Sequence, residues 1–140
     1  MGGSPLEKVI LDACAVIAFF RDEEGADIVE GYLLDNQYDC MIHVVNLCEV
    51  YYDFYRVDGE SAAIAVLDDL KWAKVTFRPD LSTEFWQQVG KYKATIARIS
   101  LADCFALALA QQEKGVLVTS DRKEFQPVTS LNICPIKFIR

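Results

Sequence analysis

The chain has 140 residues, of which 52% are hydrophobic and 25% charged, a composition that excludes a disordered protein and predicts one globular domain. The formal net charge of −7 argues against a broad basic face for nucleic acid, but not against an acidic site neutralised by cations. Five scattered cysteines without a C-x-x-C pair and the lack of an apolar run of about 18 residues predict a soluble, cytoplasmic protein with no membrane span.

Strands and helices are predicted to alternate along the chain. In order, the segments are a strand in KVILDA that ends at Asp12, helices in CAVIAFF and EGADIVEGYLLD, a strand in DCMIHVV, helices in LCEVYYDFYRV (after Asn46) and GESAAIAVLDDLKWA, a strand in KVTFR, helices in STEFWQQVGKYKATIA and at 101–114, and strands in VLVTS and ICPIKFI. This order predicts an α/β fold with a mainly parallel sheet of about five strands flanked by helices. The single domain spans residues 1–140, and Met1–Ser4, which lack signal-peptide features, would fit an expression scar.

Four carboxylates fall at places of one kind in this arrangement. Asp12 ends the first strand and Asp121 follows the fourth. Glu49 and Asp103 are expected in the first turns of the helix after the second strand and of the helix before the fourth. Because ligands of open parallel sheets bind at the carboxyl ends of the strands, these four side chains are expected to converge.

Each acid taken alone has a structural explanation. Asn46–Glu49 and Ser100–Asp103 resemble capping boxes, and Asp12 and Asp121 would serve as helix N-caps or turn residues. Capping does not, however, require four acids at one edge of a sheet, and convergent carboxylates need a counter-charge. Oxygen-only ligands favour Mg²⁺ or Mn²⁺, ions that activate water for attack on a phosphodiester.

Four segments together resemble a PIN domain, and within that group the VapC-type toxins of bacterial and archaeal toxin–antitoxin pairs: VILDACAVIAFF, VVNLCEVYY, SLADCFALALA and VLVTSDRKEF. The resemblance implies a PIN-like three-layer fold and a metal-dependent ribonuclease. It implies that the catalytic and metal-binding residues are Asp12, Glu49, Asp103 and Asp121. It also implies a hydroxyl residue before the last aspartate, for which Thr119 and Ser120 are the candidates.

Several residues near these acids are candidates for supporting roles. Glu124 is either an accessory ligand or a surface charge. The cations expected to bind substrate phosphates, or else to be solubilising surface charges, are Arg98, Arg122 and Lys123. Tyrosines 51, 52 and 55 would suit base stacking, but their helical spacing favours core or dimer packing.

The cysteines and the single histidine are interpreted as structural. Cys48 and Cys104 are expected in the core rather than in a zinc site, and His43 is expected to be packed within a strand. Cys14 marks a departure from the family, which often has a small hydroxyl residue within two positions of the first aspartate. A thiol is a poorer hydrogen-bond partner than a hydroxyl.

The sequence therefore predicts a Mg²⁺- or Mn²⁺-dependent endoribonuclease, a hydrolase that cuts RNA phosphodiester bonds as the toxin of a toxin–antitoxin pair. An antitoxin protein and a homodimer are expected partners by the resemblance. The alternative is a non-catalytic PIN-like module that binds RNA or a protein, although such a module has no physical need for all four acids. A receiver-type signalling domain and a haloacid-dehalogenase-like phosphatase are disfavoured, since Asp12 has no second acid beside it and Cys14 stands where the phosphatase needs an aspartate.

Overall fold

A five-stranded sheet forms the centre of the molecule in the computed structural model, which describes residues 6–140. The scar suggested at Met1–Ser4 lies outside the described residues. The strands are β1 (Glu7–Leu11), β2 (Tyr38–His43), β3 (Thr76–Arg78), β4 (Val116–Thr119) and β5 (Ile136–Phe138). All neighbouring strands are parallel, in the order β3-β2-β1-β4-β5. The predicted α/β class and five-stranded sheet are confirmed.

Helices cover both faces of this sheet. They are α1 (Ala13–Phe20), α2 (Ala26–Leu34), α3 (Val44–Asp58), α4 (Glu60–Trp72), α5 (Thr83–Thr95), α6 (Leu101–Glu113) and the short α7 (Arg122–Phe125), followed by a 3-10 helix at Gln126–Leu131. None of these helices within residues 6–140 combines the length and the apolarity needed to cross a membrane.

The central strand β1 contributes to two separate cores because its side chains alternate between the faces of the sheet. Val9 and Leu11 pack with α1 to α4, and Ile10 packs with α5, α6 and α7. All three are fully buried, as expected for a parallel strand covered on both faces. The result is the predicted three-layer arrangement.

The strand order places a topological switch point between β1 and β4. From β1 the chain builds the sheet outward through β2 and β3, and β4 then starts the other side. Ligand sites of open α/β sheets lie at such a point, outside the carboxyl ends of the strands. Asp12 and Asp121 directly follow β1 and β4, and the Asp12 N–H donates to the Val118 carbonyl at 3.2 Å.

The start of α3 differs from the prediction. The strand ends at His43 and the helix begins at Val44, so Val45 is helical rather than extended. The reason is that His43 acts as the N-cap: its Nδ1 accepts a hydrogen bond from the Val45 N–H at 3.1 Å. The strand is followed directly by the apolar Val44 and Val45 of the helix, so the sequence shows no break at the cap.

His43 is a packed structural residue, as predicted. Its side chain is fully buried, and its ring stacks on Phe85 with centroids 5.4 Å apart. Because Nδ1 accepts, the proton is on Nε2, which donates to the Asp80 carbonyl at 3.0 Å. Burial lowers the pKa of His43, so the ring is neutral at pH 7.

Candidate active site

Asp12 is the innermost of the four predicted acids. It caps α1, since its Oδ1 accepts a hydrogen bond from the Ala15 N–H at 2.8 Å. Only 1% of the residue is exposed, and its Oδ2 has no hydrogen-bond partner among the described residues. Capping therefore accounts for one carboxylate oxygen and leaves the other, which is buried, unexplained.

Asp121 is held at the end of β4 by its neighbours. The Thr119 hydroxyl accepts a hydrogen bond from the Asp121 N–H at 2.9 Å, and Asp121 Oδ1 accepts from the Glu124 N–H at 3.0 Å. Thr119 is fully buried and also lies close to Asp12, although outside hydrogen-bond geometry to its Oδ2. Of the two hydroxyl candidates, Thr119 is thus the one placed between the two aspartates.

Asp103 lies in the first turn of α6, as predicted, but only half of the expected capping box forms there. Ser100 Oγ accepts a hydrogen bond from the Asp103 N–H at 3.1 Å. The Ser100 N–H donates to Glu124 Oε2 at 3.4 Å instead of to Asp103. Glu124, and not Asp103, therefore accepts the hydrogen bond from the Ser100 N–H, and the Asp103 carboxylate remains available to bind a ligand at the site.

Glu49 lies in the second turn of α3 rather than the first, because the helix begins at Val44. The predicted capping box with Asn46 does not form, since His43 is the cap. Asn46 is instead fully buried, and its Nδ2 donates to the Ala102 carbonyl at 3.3 Å. This bond ties α3, which carries Glu49, to the start of α6, which carries Asp103.

One cavity of about 290 Å³ is lined by three of the four predicted acids, namely Glu49, Asp103 and Asp121, but not by Asp12. Its lining includes five carboxylates, those of Glu49, Asp53, Asp103, Asp121 and Glu124. We call it the acid cavity. Asp103, Asp121 and Glu124 form its tightest group, with one oxygen from each lying within 4.8 Å of the others. Asp12 and Glu49 stand outside that group, so Glu124, predicted only as an accessory residue, is more central than either.

Asp12 and Glu49 form no ion pair among the described residues, and the pKa of each carboxyl group is raised. Burial raises the pKa of Asp12 to about 7, the nearby Thr119 hydroxyl and the Ala15 N–H oppose the rise, and Asp121 and Glu49 add to it. Burial and the nearby Glu124 raise the pKa of Glu49, against the effect of Tyr52. Both shifts mean that the ionised forms are disfavoured until a counter-charge arrives.

The donor set fits a hard divalent cation. The three grouped side chains offer carboxylate oxygens alone, the ligand type that Mg²⁺ and Mn²⁺ prefer. The buried, unpartnered Oδ2 of Asp12 is a further acceptor that a cation or its water shell would satisfy. Thus the residues present suit a metal centre at the carboxyl edge of the sheet.

The cysteines are divided between core and surface. Cys104 is buried, as predicted, but Cys48 is exposed, which corrects its expected place in the core. Cys48 lies on the face of α3 that points to solvent, whereas its neighbours Leu47 and Val50 lie on the face that packs against the core. Cys14 lines the acid cavity; although the side chain reaches solvent, desolvation and then the nearby carboxylates raise its pKa to about 12, so it is a thiol at pH 7.

Comparison with known proteins identifies the family. The sequence profile of the PIN domain matches residues 9–129, which is most of the chain and includes Asp12 and the five carboxylates of the acid cavity. The chain belongs to the PIN domain family. No curated protein sequence matches it.

Solved structures share this PIN fold at low sequence identity. DNA-bound VapBC from Salmonella typhimurium is 19% identical with a TM-score of 0.71, over 96% of this chain and 100% of that chain. A toxin–antitoxin complex from Klebsiella pneumoniae is 16% identical with a TM-score of 0.68, over 94% and 98%. Mycobacterium tuberculosis VapC20, a sarcin-ricin loop cleaving toxin, is 11% identical with a TM-score of 0.69, over 85% and 94%.

The cations predicted to bind substrate fall in two places around the candidate site. Arg98 and Lys123 line a second cavity, of about 610 Å³, which shares Asp121 and Glu124 with the acid cavity. Arg122 is engaged elsewhere: its Nε donates to the Arg140 carbonyl at 2.7 Å, and its guanidinium lies 4.6 Å from the centroid of the Phe138 ring. The structure therefore brings two of the three to the edge of the site.

Two residues that line the acid cavity, Tyr52 and Arg56, were not assigned to it from the sequence. Tyr51 packs against the core beside α1 to α4, in line with the packing predicted for the tyrosines. Tyr52 does not, and is 48% exposed. The sequence contained a signal for this placement. Tyr52 and Arg56 follow Glu49 by three and seven residues, so all three lie on the same face of the helix.

Proposed function

We propose that this PIN domain is a divalent-metal-dependent endoribonuclease that hydrolyses RNA phosphodiester bonds. The observation that carries the proposal is the group of Asp103, Asp121 and Glu124, whose oxygens lie within 4.8 Å of one another at the switch point of the sheet. The fold it shares with VapC20, a toxin that cleaves the sarcin-ricin loop, supports RNA as the substrate.

Asp103, Asp121 and Glu124 would hold Mg²⁺ or Mn²⁺, with Glu49 approaching from α3 and Asp12 from beneath. A bound ion would stabilise charge on the phosphate and promote the ionisation of water. The ends of β1 and β4 and the first turn of α6 fix the aspartates, so their geometry is set before substrate arrives. Asp12, with Oδ1 fixed by Ala15, keeps Oδ2 available to orient a water molecule or a ligand.

Histidine does not serve as the base in this mechanism. His43, the one histidine in the sequence, is fully buried, and both of its ring nitrogens are hydrogen-bonded in the fold. Proton transfer during hydrolysis thus belongs to the carboxylates of the acid cavity and to solvent. Burial raises the pKa of Glu49 and raises that of Asp12 to about 7, so these are the two carboxylates suited to proton transfer.

We further propose that the protein is the toxin of a toxin–antitoxin pair, with a cognate antitoxin protein and a homodimeric state. The solved structures with the same fold include a toxin–antitoxin complex and DNA-bound VapBC, which supports an antitoxin as partner. Co-purification of the protein with the product of a neighbouring gene, and the mass of the free protein by light scattering, test the two parts separately.

The test of the ribonuclease is metal-dependent cleavage by Asp103→Asn against a matched control. Protein free of any partner is incubated with a mixed RNA pool in Mg²⁺, in Mn²⁺ and in chelator. Wild type should cleave only with metal, and Asp103→Asn should fall below about 1% of the wild-type rate, a loss of about 2.7 kcal/mol or more. Asp68→Asn, the same change at an exposed position of α4, should cleave like wild type.

Calorimetric titration with Mn²⁺ completes this experiment. If wild type cleaves in no metal and binds no Mn²⁺ while its fold is intact, the acids are structural and the protein is a binding module. Cleavage by Asp103→Asn at the wild-type rate, with Asp68→Asn unchanged, would remove Asp103 from the site.

A further inference from the structure

One face of α3 extends the acid cavity beyond the acids themselves. Glu49, Tyr52 and Arg56 are spaced by three and four residues and all line the cavity. Tyr52 is 48% exposed, and the side chain of Arg56 is 68% exposed. An aromatic ring and a guanidinium are thus presented to solvent immediately beside the candidate metal ligands.

Arg56 is the cation that the cavity lining contains, against five carboxylates. An RNA backbone is repelled by those carboxylates and needs such a charge to approach. The ion pair of Arg56 is a weak one. Arg56 contacts Asp53 Oδ1 at 3.3 Å, and Asp53 already has a second partner, since its Oδ2 accepts from Arg21 at 3.0 Å. Exposed ion pairs of this kind contribute little free energy, so a phosphate can replace Asp53 as the partner of Arg56.

Tyr52 supplies a flat surface at the same place. The Arg56 guanidinium lies 5.6 Å from the centroid of the Tyr52 ring, so the two side chains are adjacent. Exposed aromatic rings in single-strand-binding grooves stack nucleobases without reading their identity, and arginine adds a contact with phosphate. The pair therefore has the chemistry to bind one nucleotide by its base and its phosphate.

We propose that Tyr52 and Arg56 form a nucleotide subsite for single-stranded RNA on the α3 side of the acids. The inference rests on the proposed function, whose substrate it describes. Arg98 and Lys123 line the adjoining cavity beyond Asp121 and Glu124. A strand that crosses the acids thus has positive charge on both sides of the point where it would be cut, with the stacked nucleotide on one side only.

Binding of a fluorescently labelled, unstructured oligoribonucleotide, measured by anisotropy in chelator, tests the subsite without cleavage. Tyr52→Ala should weaken binding about tenfold, and Tyr52→Phe, which keeps the ring, should recover most of that loss. The matched control is Tyr55→Ala: Tyr55 is on the same helix and 46% exposed, but it does not line the cavity. Its affinity should equal that of wild type.

Salt dependence isolates the role of Arg56. Loss of one phosphate contact lowers the slope of log Kd against log salt concentration by about 0.7 for a single strand. Arg56→Ala should show that decrease and Arg56→Lys should not. Lys71→Ala, which removes an exposed cation from α4, should leave the slope unchanged.

Cleavage kinetics in Mn²⁺ separate failure of the subsite from failure of the function. The inference predicts that Tyr52→Ala raises KM about tenfold with a smaller change in kcat. If wild type binds and cleaves RNA but Tyr52→Ala behaves like Tyr55→Ala in both assays, the subsite is wrong and the ribonuclease stands. If wild type neither binds nor cleaves RNA, both proposals are wrong.

Discussion

Two groups of carboxylates in this molecule have opposite electrostatic surroundings. In the Arg78 cluster, formed by Lys8, Arg78, Asp80 and Glu113, Arg78 contacts Asp80 at 2.9 Å and Glu113 at 3.1 Å, and Lys8 contacts Glu113 at 2.9 Å. Hydrogen bonding to Arg78 lowers the pKa of Asp80 and lowers that of Glu113 to about 2. By contrast, the pKa of Asp12, which lies beside the acid cavity, rises to about 7, and that of Glu49, which lines the cavity, also rises.

The difference separates acids whose charge is balanced by cations of the same chain from acids whose charge is not. In the Arg78 cluster each acid has a cationic partner from the same chain, and the pair of Arg78 with Glu113 joins β3 to the end of α6. Acids without partners lower the stability of the unliganded protein, and such a cost is typical of functional sites. The comparison thus identifies the acid cavity by its energetics as well as by its place at the switch point.

The largest effect on stability is expected at the centre of the paired group. Arg78→Ala leaves Asp80 and Glu113 without their main partner, and all three side chains are less than a quarter exposed. The free energy of unfolding should fall by about 2 kcal/mol, measured by urea denaturation. Arg140→Ala, whose ion pair with Glu23 is more exposed, should change it by less than about 1 kcal/mol. Equal losses of stability in Arg78→Ala and Arg140→Ala would contradict the stabilising role of the Arg78 cluster.

Neutralising one acid in each group should change stability in opposite directions. Glu113→Gln removes the partner of two cations and should destabilise the protein by about 1 kcal/mol. Glu49→Gln removes a charge that burial and Glu124 disfavour and should stabilise the metal-free protein by about 0.5 kcal/mol, a value reduced for its partial exposure. Thermal melting of both variants in chelator tests this, and a loss of stability in both would refute it.

The paired group should also make the stability of the protein depend on pH in the acid range. The folded-state pKa of Glu113, about 2, lies below its ordinary value of 4.5, so the unfolded chain binds the proton more readily. This contribution is complete above pH 4.5 and is lost as the pH falls towards about 2, and it amounts to about 1 kcal/mol after allowance for solvent. Unfolding free energies across this range should fall less steeply in Glu113→Gln than in wild type. Equal slopes would remove Glu113 as the cause.

The sequence was sufficient for the fold class and for the meeting of Asp103 and Asp121 at one edge of the sheet, because both follow from local patterns. Short apolar runs that alternate with amphipathic segments predict parallel strands. The ends of those strands then place Asp12 and Asp121 side by side. Asp103 was also found in the predicted turn, since Ser100 provides a recognisable cap.

The remaining features depend on tertiary contacts. His43 caps α3 by means of a ring nitrogen, which no cap preference predicts, and Glu49 therefore falls one turn later than expected. The pairing of Arg78 with Glu113 joins residues 35 positions apart. The central place of Glu124 arises from its approach to Ser100, which the surface-like sequence DRKEF does not reveal.

The bond from the Ser100 N–H to Glu124 also constrains how this chain can change in length. A capping box is normally encoded within four consecutive residues, but here its two halves are separated by the whole of α6 and β4. One inserted residue in α6 would rotate the following part of the helix by about 100° relative to Asp103. Insertions and deletions between residues 100 and 124 are therefore expected to be selected against even where every acid is retained.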